Sequence, residues 1–192
     1  MYFIEISAQK FTSQQFAVST SQSALPFNRF AGLFREIVHP GLEYGLSKDF
    51  KKLKNYDWFW DVRAGIFHHR FVQTGIPLYS STGFRYKYLK RWESALALGA
   101  GYLHSIPATE KYKLNDVGDY ENNKGIGRVQ GTFSFEISTG YHLKPKSAQN
   151  IKLFVTYQQR FQLPFVKSYV PLLPYNSFFI GISKPIIRHP KK

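Results

Sequence analysis

From about residue 37 onward, apolar and polar side chains alternate one by one through segments of about 12 to 15 residues. A period of two places successive side chains on opposite faces of a strand, so each segment has one apolar and one polar face. The cleanest case sets Trp58, Trp60, Val62, Ala64 and Ile66 against Phe59, Asp61, Arg63, Gly65 and Phe67. A chain patterned in this way folds as β-sheet, with strands well beyond the roughly 5 or 6 residues usual in globular proteins.

The pattern recurs along the chain. Leu42, Tyr44 and Leu46 alternate with Gly41, Glu43, Gly45 and Ser47, and Leu78, Thr82, Phe84, Tyr86 and Tyr88 with Tyr79, Ser81, Gly83, Arg85 and Lys87. Leu96, Leu98, Ala100 and Tyr102 oppose Glu93, Ala95, Ala97, Gly99 and Gly101, while Phe133, Phe135, Ile137 and Tyr141 oppose Thr132, Ser134, Glu136, Ser138 and Gly140. Next, Leu153, Val155, Tyr157 and Phe161 oppose Lys152, Phe154, Thr156, Gln158 and Arg160, and Phe178, Ile180 and Ile182 oppose Ser177, Phe179, Gly181 and Ser183. A weaker alternation of Phe16, Val18 and Thr20 with Ala17, Ser19 and Ser21 supplies an eighth strand. The connections alternate in length, short near 50–55, 89–91 and 144–150 and longer near 23–36, 69–75, 105–127 and 164–172.

Eight amphipathic strands suit a closed barrel, either soluble with apolar residues inside or membrane-spanning with apolar residues outside. Hydrophobic residues make up 43% of the chain and aromatics 18%, yet the mean hydropathy is only −0.31. A transmembrane barrel reconciles these values, because only every second residue of a strand faces lipid. The position of glycine favours the same choice: Gly41, Gly45, Gly65, Gly83, Gly99, Gly101, Gly140 and Gly181 all share the charged face. The interior of an eight-stranded barrel has room for little more than its own side chains, so the face rich in glycine and charge is the inner one.

One domain is expected: a barrel over 12–186, an N-terminal segment 1–11 in which Ser7-Ala8 reads as the remnant of an export-signal region, and a basic tail 187–192. On the inner face Glu43, Asp61, Arg63, Arg85, Lys87, Glu93, Glu136, Lys152 and Arg160 mix both signs. Buried charges persist only when paired, so these are expected to form a network that plugs the lumen. On the outer face Tyr56, Trp58, Tyr88, Trp92 and Tyr141 lie beside the short turns, where a girdle of interfacial aromatics belongs.

The net charge of +14 raises the question of nucleic acid. The basic residues gather in short connections and the tail, at Lys48, Lys51, Lys52, Lys54, Lys90, Arg91, Lys144, Lys146, Arg188, Lys191 and Lys192. They fringe the aromatic belt, where lipid phosphates are the nearest anions. A nucleic-acid module would place basic and aromatic residues on one continuous face, so no nucleic-acid partner is expected. The chain has no cysteine, which removes disulfides, thiolate metal sites and thiol nucleophiles together.

Three stretches carry a resemblance: His39-Pro40-Gly41-Leu42-Glu43-Tyr44-Gly45, Gly83-Phe84-Arg85-Tyr86-Lys87-Tyr88 and Gly99-Ala100-Gly101-Tyr102-Leu103-His104. With the strand pattern, they make the stretch from about residue 12 to 186 resemble the small eight-stranded outer-membrane barrels of Gram-negative bacteria, and one subgroup within that class. The resemblance implies an all-β fold, a closed antiparallel eight-stranded transmembrane barrel with short periplasmic turns, longer extracellular loops and both termini in the periplasm. It implies outer-membrane lipids, lipopolysaccharide included, as surroundings, and other outer-membrane proteins as partners in a complex. The class includes anchors, adhesion or defence proteins, channels for small hydrophobic molecules, and enzymes that modify lipid A. One departure is the sequence Arg188-His189-Pro190-Lys191-Lys192, where such barrels commonly carry a final aromatic residue.

No catalytic centre, cofactor or metal site is expected. The deacylases of this class carry a histidine and a serine one residue apart on the same strand face; His104 and Ser105 are adjacent and point to opposite faces. His68 and His69 diverge for the same reason, which weakens a metal site with His39 or His104. The connection 105–127, with Glu110, Asp116, Asp119 and Glu121, lacks the spacing of a calcium loop and reads as a solvated loop suited to a partner. The expected function is that of a non-enzymatic barrel serving as a structural or accessory subunit, the alternative being a lipid A-modifying enzyme or a passage for small hydrophobic molecules.

Overall fold

The computed structural model describes residues 11–25, 37–52, 55–110, 112–122, 125–145, 147, 149–165 and 171–186. The alternating segments form β1 (Ser13–Gln22), β2 (Pro40–Lys52), β3 (Tyr56–His69), β4 (Gln73–Tyr88), β5 (Trp92–Pro107), β8 (Arg128–His142), β9 (Lys152–Leu163) and β10 (Leu173–Pro185). The connection between β5 and β8 contains a small hairpin of β6 (Tyr112–Leu114) and β7 (Tyr120–Asn122). The eight long strands form one closed sheet in the order β1-β10-β9-β8-β5-β4-β3-β2, with every neighbouring pair antiparallel. Pairing of β1 with both β2 and β10 leaves the barrel without an open edge.

Register fixes the shape. Paired residues traced around the wall from Tyr141 through Leu153, Ile182, Phe16, Tyr44, Ala64, Leu78 and Tyr102 return to β8 at Gly131, ten residues away. A barrel with such a stagger has strands inclined by roughly 35–45° to its axis.

Burial follows the alternation with polarity reversed relative to a soluble protein. Leu42, Ile66, Leu78, Leu96, Leu98, Ile180 and Ile182 are exposed, whereas Glu43, Asp61, Arg63, Glu136, Gln158 and Arg160 are buried. The glycine-rich face is indeed the inner one. A Cβ on Gly83 would lie 2.7 Å from the Cα of Ala97, and one on Gly41 would lie 3.0 Å from the Cβ of Phe67, so the inner wall closes only where those side chains are missing.

Connection lengths depart from the sequence reading at two places, the expected short connection near 144–150, which spans 143–151, and the expected longer one near 69–75. Residues 70–72, expected within a longer loop near 69–75, form a three-residue turn, as short as the one at 89–91. The turn is held by Val72 N donating to His69 O at 3.0 Å and by Ala108 N donating to Val72 O at 3.1 Å. The other connections at that end are 23–39, 108–127 and 164–172; those at the opposite end are 53–55, 89–91 and 143–151, the last equal in length to 164–172. The expectation for the tail 187–192 and for the segment preceding Phe11 falls outside the described residues.

Candidate functional site

The lumen holds the chemistry, in three tiers. Nearest the short-turn end, Glu93 gathers three partners: Arg85 Nε at 3.0 Å, Lys152 Nζ at 2.7 Å and His142 Nε2 at 2.7 Å. Asn150 Nδ2 donates to His142 Nδ1 at 2.6 Å, so Nε2 carries the hydrogen that reaches Glu93. Arg85 continues to Asp49 at 3.0 Å and Asp57 at 3.8 Å, and Lys87 pairs with Asp57. These groups line a cavity of about 850 Å³ that is bordered by the 89–91 turn.

The middle tier centres on Arg63, with Asp61 at 2.7 Å, Glu136 at 2.9 Å and Glu43 at 3.6 Å. Tyr79 donates to Glu43 at 2.6 Å, Gln158 donates to Glu136 at 2.8 Å and to the Tyr79 hydroxyl at 3.0 Å, and Arg160 lies 3.9 Å from Glu43. Side chains from β2, β3, β4, β8 and β9 are thereby joined across the bore. Phe59 packs under Arg85 with its ring centroid 4.7 Å from the guanidinium carbon, and the guanidinium carbon of Arg160 lies 5.7 Å from the ring centroid of Phe67. Pairing of this density is what ionised groups require in a medium of low polarity.

Among the described residues the tier at the loop end carries no ion pair. Gln73 and Gln162 bond reciprocally, Gln162 donates to Gln130, Gln130 donates to Pro164 O, and Ser105 donates to Gln73. Phe67, Leu103 and Tyr175 pack beside this amide chain. His39 and His69 stack there with centroids 3.8 Å apart and planes 11° apart.

All nine inner charges singled out in the sequence take part in the ion pairs above, Lys87 at the mouth of the bore through Asp57. Asp49, Asp57 and His142 join them, although the sequence pattern did not mark them. Tyr56, Trp58, Tyr88, Trp92 and Tyr141 lie on the outer side near the short turns, where Trp92 and Tyr141 meet at 5.0 Å and Trp58 meets Phe84 at 4.1 Å. His104 turns outward to the Tyr102 hydroxyl at 3.0 Å and Ile126 O at 2.9 Å, while Ser105 turns inward. His68 faces out to Thr74 at 2.9 Å, and among the described residues no group of three or more His, Cys, Asp or Glu side chains could hold a metal ion.

Two features escaped the sequence. On the outer wall, Gln22, Asn176 and Gln159 stand side by side across β1, β10 and β9 and are buried. They donate to the backbone of Ile37, Leu25 and Ala24 at 3.0, 3.2 and 3.5 Å, so both described ends of the β1–β2 connection fold down against the wall. The β6–β7 hairpin exposes Tyr112, Leu114 and Tyr120 on one side and Val117 at its tip. There the Tyr112 hydroxyl donates to Glu110, which raises its pKa above the ordinary phenol value.

No family model and no curated protein matches the chain. Solved structures do. Neisserial surface protein A superposes with a TM-score of 0.53 at 9% identity, covering 92% of this chain and 97% of that one. Ail, the attachment invasion locus protein of Yersinia pestis, gives 0.48 at 12% identity over the same shares. The outer membrane enzyme PagL gives 0.46 at 11% identity, with 91% of this chain and 99% of that one covered. With an apolar outer wall, a closed antiparallel sheet and a charged bore, this chain has the fold of the small eight-stranded outer-membrane β-barrels of Gram-negative bacteria.

Proposed function

We propose that the chain is a non-enzymatic integral outer-membrane barrel with a plugged lumen, serving as a scaffold or accessory subunit for other outer-membrane proteins. The short turns and both chain ends lie in the periplasm, and the longer connections face outward. The observation that carries the plugged reading is Arg63, clasped by carboxylates from β2, β3 and β8 in the middle of the bore. Ions would have to break those pairs in order to pass, and Phe59, Phe67, Tyr79 and Phe179 fill the space beside them. A non-enzymatic role is supported by the hydrogen bonds of Ser105 and His104, which point away from each other. The scaffold role rests on the exposed apolar side of the β6–β7 hairpin, flanked by Glu110, Asp116, Asp119 and Glu121, as the surface that meets a partner. Tyr56, Trp58, Tyr88, Trp92 and Tyr141 act as the periplasmic aromatic girdle, and lipopolysaccharide and phospholipid surround the wall.

The test is reconstitution of the purified chain in planar bilayers, together with incubation on lipid A. Electrical silence and intact acyl chains are expected. Steady single-channel currents that change with Arg63→Gln would overturn the plugged lumen, and release of fatty acid from lipid A would replace the scaffold by an enzyme.

A further inference from the structure

Two apolar grooves cross the outer wall obliquely, with volumes of about 480 and about 450 Å³, each of the size of a long acyl chain. The first begins at Trp92 and Tyr141 and climbs past Leu153 to Val18. The second begins at Tyr56 and Tyr86 and climbs past Leu96 to Phe178. They meet at Thr139 and Val155, which line both. The turn 89–91 joins the strand of Tyr86 to that of Trp92 and therefore stands between the two groove mouths.

That turn is built against backbone preference. Leu89 and Lys90 have φ of 49° and 60°, a region that non-glycine residues rarely occupy, and strain of this kind gathers at functional positions. Its effect is to present Leu89, 77% exposed, beside Lys90 and Arg91. Arg91 is fixed in place: its Nη1 donates to the Tyr141 hydroxyl at 3.0 Å, and its carbonyl accepts from His142 N at 2.8 Å. The charge around the turn is one-sided. Among the described residues the carboxylates at this end are Asp49, Asp57 and Glu93, and all three turn into the lumen and pair there. Arg91, bonded to a residue of the first groove, therefore faces the outer rim, and Lys90 stands at the crest of the turn, where it also borders the lumen mouth.

We propose that the turn 89–91 and its two grooves form a seat for one anionic phospholipid, with an acyl chain in each groove and the phosphate on Lys90 and Arg91. This rests on the membrane-spanning reading above. Two grooves suit a two-chain phospholipid better than lipid A with its larger set of chains, and the short-turn end would face the phospholipid leaflet. Each cation contributes the attraction expected of a basic residue at an anionic surface.

The test uses Trp92 as the reporter, in the full chain carrying Trp58→Phe and Trp60→Phe. Bilayers hold equal phosphatidylglycerol and phosphatidylcholine, with brominated chains on one or the other. Trp92 fluorescence should be quenched more by brominated phosphatidylglycerol, and the enrichment should fall about fivefold with each of Lys90→Gln and Arg91→Gln. Arg70→Gln, at the opposite end, should leave it unchanged. Native mass spectrometry of the chain with its tryptophans intact should retain one phosphatidylglycerol molecule, lost in the Lys90→Gln/Arg91→Gln pair. Equal quenching by both lipids, with no retained molecule, overturns the seat and leaves the spanning barrel in place. Displacement of phosphatidylglycerol by added lipid A overturns the choice of lipid. Absence of quenching by either lipid overturns the spanning reading and the seat with it.

Discussion

The two ends of the bore are filled by different chemistry. Toward the short turns the inner wall is ionised, with Arg63, Arg85 and Lys152 set among Glu43, Asp49, Asp57, Asp61, Glu93 and Glu136. Toward the loops, among the described residues, it is mostly uncharged, an amide chain of Gln73, Gln130 and Gln162 with Ser105 and two stacked imidazoles, and Arg128 lies at the rim with its guanidinium carbon 5.5 Å from the Phe165 ring centroid. A buried ion is tolerable only when its partners stand at fixed positions, whereas an amide gives and accepts in several directions. The charged tiers lie toward the tight turn at 89–91; the amide tier lies toward the long connections and the tight turn at 70–72. The difference teaches that ion pairing ties the strands together toward the 89–91 turn, whereas amide bonding joins them toward the opposite end.

The largest expected effect tests that contrast directly. Arg63→Ala leaves Asp61 and Glu136 buried without their cation and should lower unfolding stability by about 3–5 kcal/mol. Gln162→Ala removes neutral hydrogen bonds and should cost about 1–2 kcal/mol. Urea unfolding of the lipid-reconstituted protein reads both. Equal losses would mean that the charges in the middle tier do no more than the amides.

Next in size is a test of depth along the outer wall. Leu98 and Val129 both face outward and are 66% and 69% exposed, but Leu98 lies mid-strand and Val129 is the second residue of β8, beside the loops. Leu98→Arg should cost about 2–4 kcal/mol, and Val129→Arg about 0–1 kcal/mol, because the penalty for charge falls toward the interface. The same unfolding measurement decides it, and a large loss at Val129 would extend the apolar layer to the loop end.

The faces were legible in the sequence because a pleat has a strict period of two, so Val62 and Arg63 could be assigned before any contact was known. Legibility failed where that period loses its contrast. Past Ile66 the outward residues become His68 and Thr74, and the strand there looks like loop although it continues to His69 and resumes at Gln73. Asp49 lies beside a register shift between Asp49 and Lys51, which breaks the count of faces, His142 is the last residue of β8, and Asp57 stands at the start of β3, one step before the alternation from Trp58 to Phe67. The row Gln22, Asn176 and Gln159 interrupts an apolar face for a reason that only space reveals, the return of the β1–β2 backbone over it. The pairing partners inside the bore were unreadable for the same reason: Arg63 and Glu136 lie far apart in sequence and meet only when the barrel closes.

The smallest effect compares the two three-residue turns at opposite ends. Both close antiparallel hairpins, yet among the described residues only 89–91 holds non-glycine residues at positive φ, Leu89 at 49° and Lys90 at 60°. Hairpins favour such left-handed turns because their twist matches the strands, and they normally fill them with Asn-Gly or Asp-Gly. Lys90→Gly relieves a left-handed penalty of about 1–2 kcal/mol while adding freedom to the unfolded chain, so a net gain of about 0.5 kcal/mol is expected. Phe71→Gly, at the other turn, has no such penalty to relieve and should lose stability by about 0.5–1 kcal/mol through the same unfolded-state freedom. If Lys90→Gly also destabilises, the left-handed turn is held without strain, and its Leu-Lys sequence no longer needs a function to explain it. If it stabilises, a more stable turn was available to this chain, and the residues that occupy it are retained for what they touch outside the barrel.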